Sequence, residues 1–252
     1  MLSGLGAHAE IVADDLVPGA FILEIAGTAQ SHVNLSEPAE VFYEYLRRMA
    51  NVLDLCAPAD EPSKVLHLGA GALTLARYLS VRRPGSEQIA VELERELLDF
   101  VLEHLPLPQN TVLKTLIGDA RWVLPELAEL GPFTAIVLDI FSGPQAPEHI
   151  ASAEFYAAAA AQLAPNGVLL VNVGDEPGLS LVRSQTAALR SILPETALYA
   201  ESGMFSGRYP GNMILIGYRG EQWPEDWTRQ LLAAGPHPCE LRSGVELDEF
   251  SR

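Results

Sequence analysis

Cysteine is nearly absent from this chain: Cys56 and Cys239 are the only two in 252 residues, and they stand in no metal-ligand spacing. That argues against a disulfide framework and against a zinc site. Basic residues are scarce as well, 16 Lys and Arg against 33 Asp and Glu, for a formal net charge of −17. Such a surface repels phosphate backbones and attracts cations, so nucleic acid is not expected as a partner; solubility alone is the plainer reading of the charge. No apolar run approaches the roughly 18 residues needed to span a bilayer. The opening MLSGLGAHAEIVADDLVPGA has no basic stretch followed by an apolar one. The expectation is a cytoplasmic protein with no membrane partner. There is no GxxxxGK[ST] and no GxSxG, which argues against ATP hydrolysis and against a nucleophile-elbow serine. The six histidines (His8, His32, His67, His104, His149 and His237) show no metal spacing, and no metal is expected.

What is present is a chain able to bury a full core, with 48% hydrophobic and 19% charged residues. Residues 1–13 read as a loose start. Gly19 to Leu35 carries two β-type runs around Ala26-Gly27, a short N-terminal hairpin. Ser36 reads as the N-cap of a helix opening at Glu37. From residue 64, apolar runs alternate with helical stretches: VLHLGAG, QIAVELE, TVLKTLIGDA, FTAIVLDIF, VLLVNVG and NMILIGYRG are strand-like, with helices between them. That alternation predicts an α/β fold with a doubly wound, mostly parallel sheet. The expected division is 1–36 for the tail and hairpin, 37–220 for the α/β domain and 221–252 for a peripheral tail ending in a disordered GVELDEFSR.

Ligands of open α/β sheets bind at the carboxyl ends of the strands, near the point where strand order reverses. The first such end is Gly69-Ala70-Gly71, where glycine lets the backbone turn sharply beside a ligand; a tight turn and nothing more is the alternative. The second ends in Glu92, about 20 positions on, placed to accept from two ribose hydroxyls or to stand as an ordinary exposed acid. The third ends in Asp119-Ala120: Asp119 can accept from an exocyclic adenine amine and the Ala120 N–H can meet a ring nitrogen, while Asp119 also suits a helix cap. The fourth ends in Asp139, after the apolar run FTAIVL, where low polarity raises a carboxyl pKa unless a cation is near. GAGALT lacks the third glycine of a dinucleotide site, which favours an adenosyl ligand without a pyrophosphate. His67, inside the first strand, reads as a core histidine, and His149 as a solvated loop residue, with contact to substrate as the alternative.

The stretch from Asp139 to Asn172, DIFSGPQAPEHIASAEFYAAAAAQLAPNGVLLVN, resembles that of the spermidine synthase (polyamine aminopropyltransferase) family, which reads roughly DSSDPVGPAxxLFxxxFYxxxxxxLxPxGxxxxQ. Gln30, then Phe42-Tyr43-Glu44, resembles the family's hairpin Gln and its F-x-YHE helix. Tyr209-Pro210 before the last strand resembles its YPSG stretch. The resemblance spans roughly residues 25–218. It implies a seven-stranded class I methyltransferase (Rossmann-like) fold, a homodimer, and decarboxylated S-adenosylmethionine as the donor to a small-molecule amine. It makes Asp139 the proton-accepting base, puts Gly69, Gly71, Glu92, Asp119, Ala120 and Gln30 around the cofactor, and puts Ser142, Glu44 and Tyr209 around the substrate.

The departures bear on function. The family's GGGDG turn holds the aminopropyl amine with its Asp; here Ala72 takes that position. Ser142 replaces the second Asp of DSSD. The histidine of YHE and the Gln ending the fifth strand are missing, with Glu44 or Tyr45, and Asn172, in their neighbourhoods. Glu44 or Asp175-Glu176 are candidates to compensate for Ala72. Three readings stand: an aminopropyltransferase-like enzyme, a methyltransferase using ordinary S-adenosylmethionine on a small molecule, and an adenosyl-binding protein that has lost the reaction.

Overall fold

The structure is a computed structural model and describes residues 1–4, 6–140 and 148–251. Three strands open the chain: β1 (Ala9–Ala13), β2 (Ala20–Ile25) and β3 (Thr28–Asn34), paired antiparallel in that order. The two-residue turn between β2 and β3 is Ala26-Gly27, both with positive φ (52° and 74°), as tight hairpins require. The expected hairpin is therefore a three-stranded sheet. Its extra strand, β1, comes from the stretch read as a loose start, whose AEIVA pattern leaves most side chains exposed or half-exposed.

α1 (Glu44–Leu55) starts eight residues after the expected cap. The cause is Asn34: its Oδ1 accepts from the N–H groups of Ser36 (3.0 Å) and Glu37 (3.0 Å), bending the backbone into a side-chain-mimicked turn. Ser36 thus receives a turn bond instead of capping a helix.

The α/β part then runs β4 (Lys64–Leu68), α2 (Thr74–Arg82), β5 (Glu87–Glu92), α3 (Arg95–His104), β6 (Val112–Ile117), α4 (Ala120–Val123), β7 (Phe133–Leu138), α5 (Ala153–Ala161), β8 (Leu163–Asp175), α6 (Ser180–Arg190), β9 (Glu195–Glu201), β10 (Gly211–Tyr218), α7 (Trp227–Ala234), β11 (Cys239–Ser243) and α8 (Gly244–Phe250). The strands form one sheet in the order β11-β9-β10-β8-β7-β4-β5-β6. β6, β5, β4, β7 and β8 run parallel, while β10, β9 and β11 are joined antiparallel. β4 and β7 are apolar and buried on both faces because helices cover both. Met49, Val52 and Leu53 of α1, Tyr78 and Leu79 of α2 and Leu231 of α7 pack on one face. Phe155 and Tyr156 of α5, Val182 and Leu189 of α6, and Leu247 and Phe250 of α8 pack on the other.

The sheet has eight strands where the resemblance implies seven. The addition is β11, in the segment expected to be a peripheral tail, and GVELDEF, expected to be disordered, is the α8 helix. Burying Leu247 and Phe250 removes two large apolar side chains from water, which stabilises by roughly 1.5–3 kcal/mol each.

Candidate active site

Strand order reverses at β4, whose neighbours are β5 on one side and β7 on the other. A cavity of about 450 Å³ opens there, lined by the carboxyl ends of β4, β5, β6 and β7 and by residues of β2, β3 and α1. That volume lies in the range of small-molecule sites.

The glycine turn is built by close approach. Gly69 has φ +92°, and a Cβ on it would meet the Asp139 carbonyl oxygen at 2.3 Å. The strand ends are stitched by backbone bonds: the Gly69 N–H donates to Val91 O, Gly118 N–H to Glu92 O and Asp139 N–H to Leu68 O, each at 2.9 Å. Gly71 also has positive φ (48°). The N-terminal sheet clamps the turn from outside. Ser31 Oγ accepts from the Ala72 N–H at 3.3 Å, and Thr74 Oγ1 donates to His32 O at 3.2 Å.

Glu92 ties two turns together. Its Oε2 accepts from the Ala70 N–H and its Oε1 from the Glu94 N–H, each at 3.0 Å. An ionised carboxylate offers about four lone-pair sites, so Glu92 keeps acceptor capacity toward the cavity. Asp119 caps α4 through the Arg121 N–H (2.8 Å) and lines the cavity beside Ala120. Its other oxygen, Oδ2, meets His149 Nε2 at 2.8 Å.

Asp139 is half-buried at the end of β7. Burial pushes its carboxyl up to about 6, and the hydrogen bond that its Oδ1 accepts from Asn172 Nδ2 (2.8 Å) pulls the other way. Tyr45 lines the same cavity, and burial first, then the Asp139 charge, raises its phenol far enough that it stays protonated. His67 is 4% exposed and bonded to Gln88 (3.0 Å); burial lowers its pKa to about 4, so it is a neutral core histidine at the cavity floor.

The cavity thus gathers Gln30, Gly69, Gly71, Glu92, Asp119, Ala120 and Asp139. Two substrate candidates fall elsewhere. Glu44 points to Arg48, bonding Nη1 and Nη2 at 3.2 and 3.1 Å, and Tyr209 is 60% exposed; neither lines the cavity. Ser142 lies outside the described residues. Asp175 caps α6, accepting from the Val182 N–H at 2.8 Å, and does not reach the cavity. Ala72 is 1% exposed, lines the cavity and packs against Leu23, Val33 and Leu97. Ser31 also lines the cavity, next to Gln30, and His149, 43% exposed in its side chain as a solvated loop residue would be, bonds Asp119 and lines the cavity as well. Among the described residues, no group of three or more His, Cys, Asp or Glu is placed to hold a metal ion, and no helix is long and apolar enough to cross a membrane.

This arrangement resembles known proteins over most of its length. A polyamine aminopropyltransferase from Chromobacterium violaceum is 24% identical over 225 residues, 88% of this chain and 80% of that one. The structure of a probable spermidine synthase from Corynebacterium glutamicum superposes with a TM-score of 0.85 at 29% identity, covering 98% of this chain and 91% of that one. Human methyltransferase-like protein 13, solved in complex with SAH, shares the fold: TM-score 0.57 and 22% identity, over 82% of this chain and 90% of that one. No family model matches the chain.

Proposed function

We propose that this chain is a divergent member of the spermidine synthase (polyamine aminopropyltransferase) family, which it resembles in sequence and fold, and that it transfers an aminopropyl group from decarboxylated S-adenosylmethionine to a small-molecule amine. The observation that carries the reading is Asp139, a carboxylate with its pKa raised to about 6, at the switch point of the sheet and facing the cavity. A base poised just below neutral pH suits proton removal from an amine. The donor set also fits an adenosyl group. Glu92 retains acceptor sites for a ribose diol, and Asp119 with the Ala120 N–H offers an acceptor and a donor to the base. Glu92, Glu94, Asp119 and Asp139 line the cavity and no Lys or Arg does among the described residues, which favours cations.

The bound sulfonium supplies an electrophilic methylene carbon and a thioether leaving group. Asp139 takes the proton from the acceptor ammonium. The freed nitrogen lone pair forms the C–N bond as the C–S bond breaks, and the sulfur keeps the bonding electrons. Asn172 holds Asp139 Oδ1 in place for that transfer. The same family membership carries the proposal of a cytoplasmic homodimer.

Ala72 supports a second reading, methyl transfer from ordinary S-adenosylmethionine. An Asp there would give the aminopropyl ammonium a charge-assisted hydrogen bond worth roughly 1.5–3 kcal/mol, about 10–100-fold in affinity. Calorimetry with both donors, followed by mass analysis of products formed with diamines, decides between them. Aminopropyl transfer predicts binding of the decarboxylated form and a product heavier by one aminopropyl group. Binding of the carboxylated form alone, with a methylated product, would sink it.

A further inference from the structure

The geometry points to His149 as a base-recognition residue, which reads the 6-amino group of the purine through its Nδ1 in a tautomer that Asp119 selects. This rests on the adenosyl reading of the cavity and adds a residue that the family pattern leaves unspecified. An ionised carboxylate only accepts hydrogen bonds, so at 2.8 Å from Asp119 Oδ2 the proton sits on His149 Nε2. In a neutral imidazole the other ring nitrogen is then an acceptor. His149 Nδ1 has no partner among the described residues, and His149 lines the cavity beside Asp119, Ala120 and Ile150.

The residue is also held in position. Arg121 Nη1 donates to the His149 carbonyl at 2.8 Å, while Arg121 Nη2 bonds Glu154 Oε2 at 3.1 Å. The backbone of residue 149 is thereby fixed to α4 and α5, and the imidazole to the cap of α4. A free surface histidine would not need two such ties, one on its backbone and one on its ring. Asp119, with Oδ1 on the Arg121 N–H and Oδ2 on the imidazole, keeps one acceptor site on each oxygen. The imidazole supplies the additional acceptor that an amine with two hydrogens can use.

The test compares 5′-methylthioadenosine with 5′-methylthioinosine, whose ring carries a carbonyl where the adenine has its amine. Calorimetry is run on the wild type and on His149→Ala, His149→Asn and His149→Gln. Asparagine puts an acceptor near the Nδ1 position without reaching Asp119. Glutamine puts a donor near the Nε2 position and restores the tie to Asp119. Direct reading predicts that the wild type and His149→Asn favour the adenosine ligand, and that His149→Ala and His149→Gln lose about tenfold of that preference. Rescue by Gln and not by Asn would mean that His149 acts only through Asp119, and would overturn the inference. Equal preference in all four proteins, or equal loss in all three variants, would overturn it too. A wild type that binds neither nucleoside defeats the adenosyl reading itself and this inference with it.

Discussion

At the scale of single residues, Asp139 makes opposite demands on stability and chemistry. Its pKa of about 6 in the folded chain exceeds the ordinary value of 3.8, so the folded state binds its proton more tightly than the unfolded state. Its contribution to stability is therefore fully present below the unfolded value and is lost as pH rises through about 6. At pH 8 the ionised group is a net burden, of the order of 3 kcal/mol at about 1.4 kcal/mol per pH unit. Asp139→Asn is expected to raise the melting temperature at pH 8, with the gain shrinking toward pH 4. The same variant should lower turnover roughly 10²–10⁴-fold. Thermal scans across that range and initial rates check both halves. A variant less stable at pH 8 would show that the carboxylate is held by a partner stronger than Asn172.

At the scale of elements, α8 makes the clearest prediction. Leu247 is fully buried against the main core, so Leu247→Ala should destabilise by about 2–5 kcal/mol. Denaturant melts measure this, and adenosyl-ligand affinity in the folded protein should be unchanged because α8 does not line the cavity. Nothing in GVELDEFSR announces that burial. Its two anchors, Leu247 and Phe250, are three apart among acids, a pattern equally at home in a solvated tail. The central strands were legible because burial on both faces leaves continuous apolar runs such as FTAIVL. β9, ETALYAE, carries no strand signal because polar residues flank its apolar ones, although five of its seven residues are buried. The start of α1 is not legible locally because Asn34 acts two and three residues ahead of itself, a contact that no pattern at Ser36 reveals. In the site, the strand-end carboxylates were legible from spacing alone. Tyr45 and Ser31 were not placed in the cavity from sequence, since their positions depend on how α1 and the N-terminal sheet dock.

At the scale of the whole molecule, the net charge of −17 acts on whatever carries positive charge. Attraction between separated charges is screened within about 8–10 Å at physiological ionic strength. The KM for a cationic acceptor should therefore rise several-fold between about 50 and 500 mM salt. Affinity for the uncharged 5′-methylthioadenosine should hold constant over the same range. Parallel titrations at several salt concentrations separate the two, and a salt-independent KM would mean that only short-range contacts recognise the amine. Amines of higher charge should show the steeper dependence.

The contact between Gly69 and the carbonyl of Asp139 limits how such a protein can diversify. Because a methyl group at position 69 would collide with the main chain that carries the proposed proton acceptor, no library can vary that glycine without displacing the acceptor as well. Position 72 lies three residues further on, in a setting of aliphatic neighbours. Donor preference can be re-engineered there while the reactive carboxylate keeps its place, provided that Leu23 and Leu97 are changed alongside it to receive a charge.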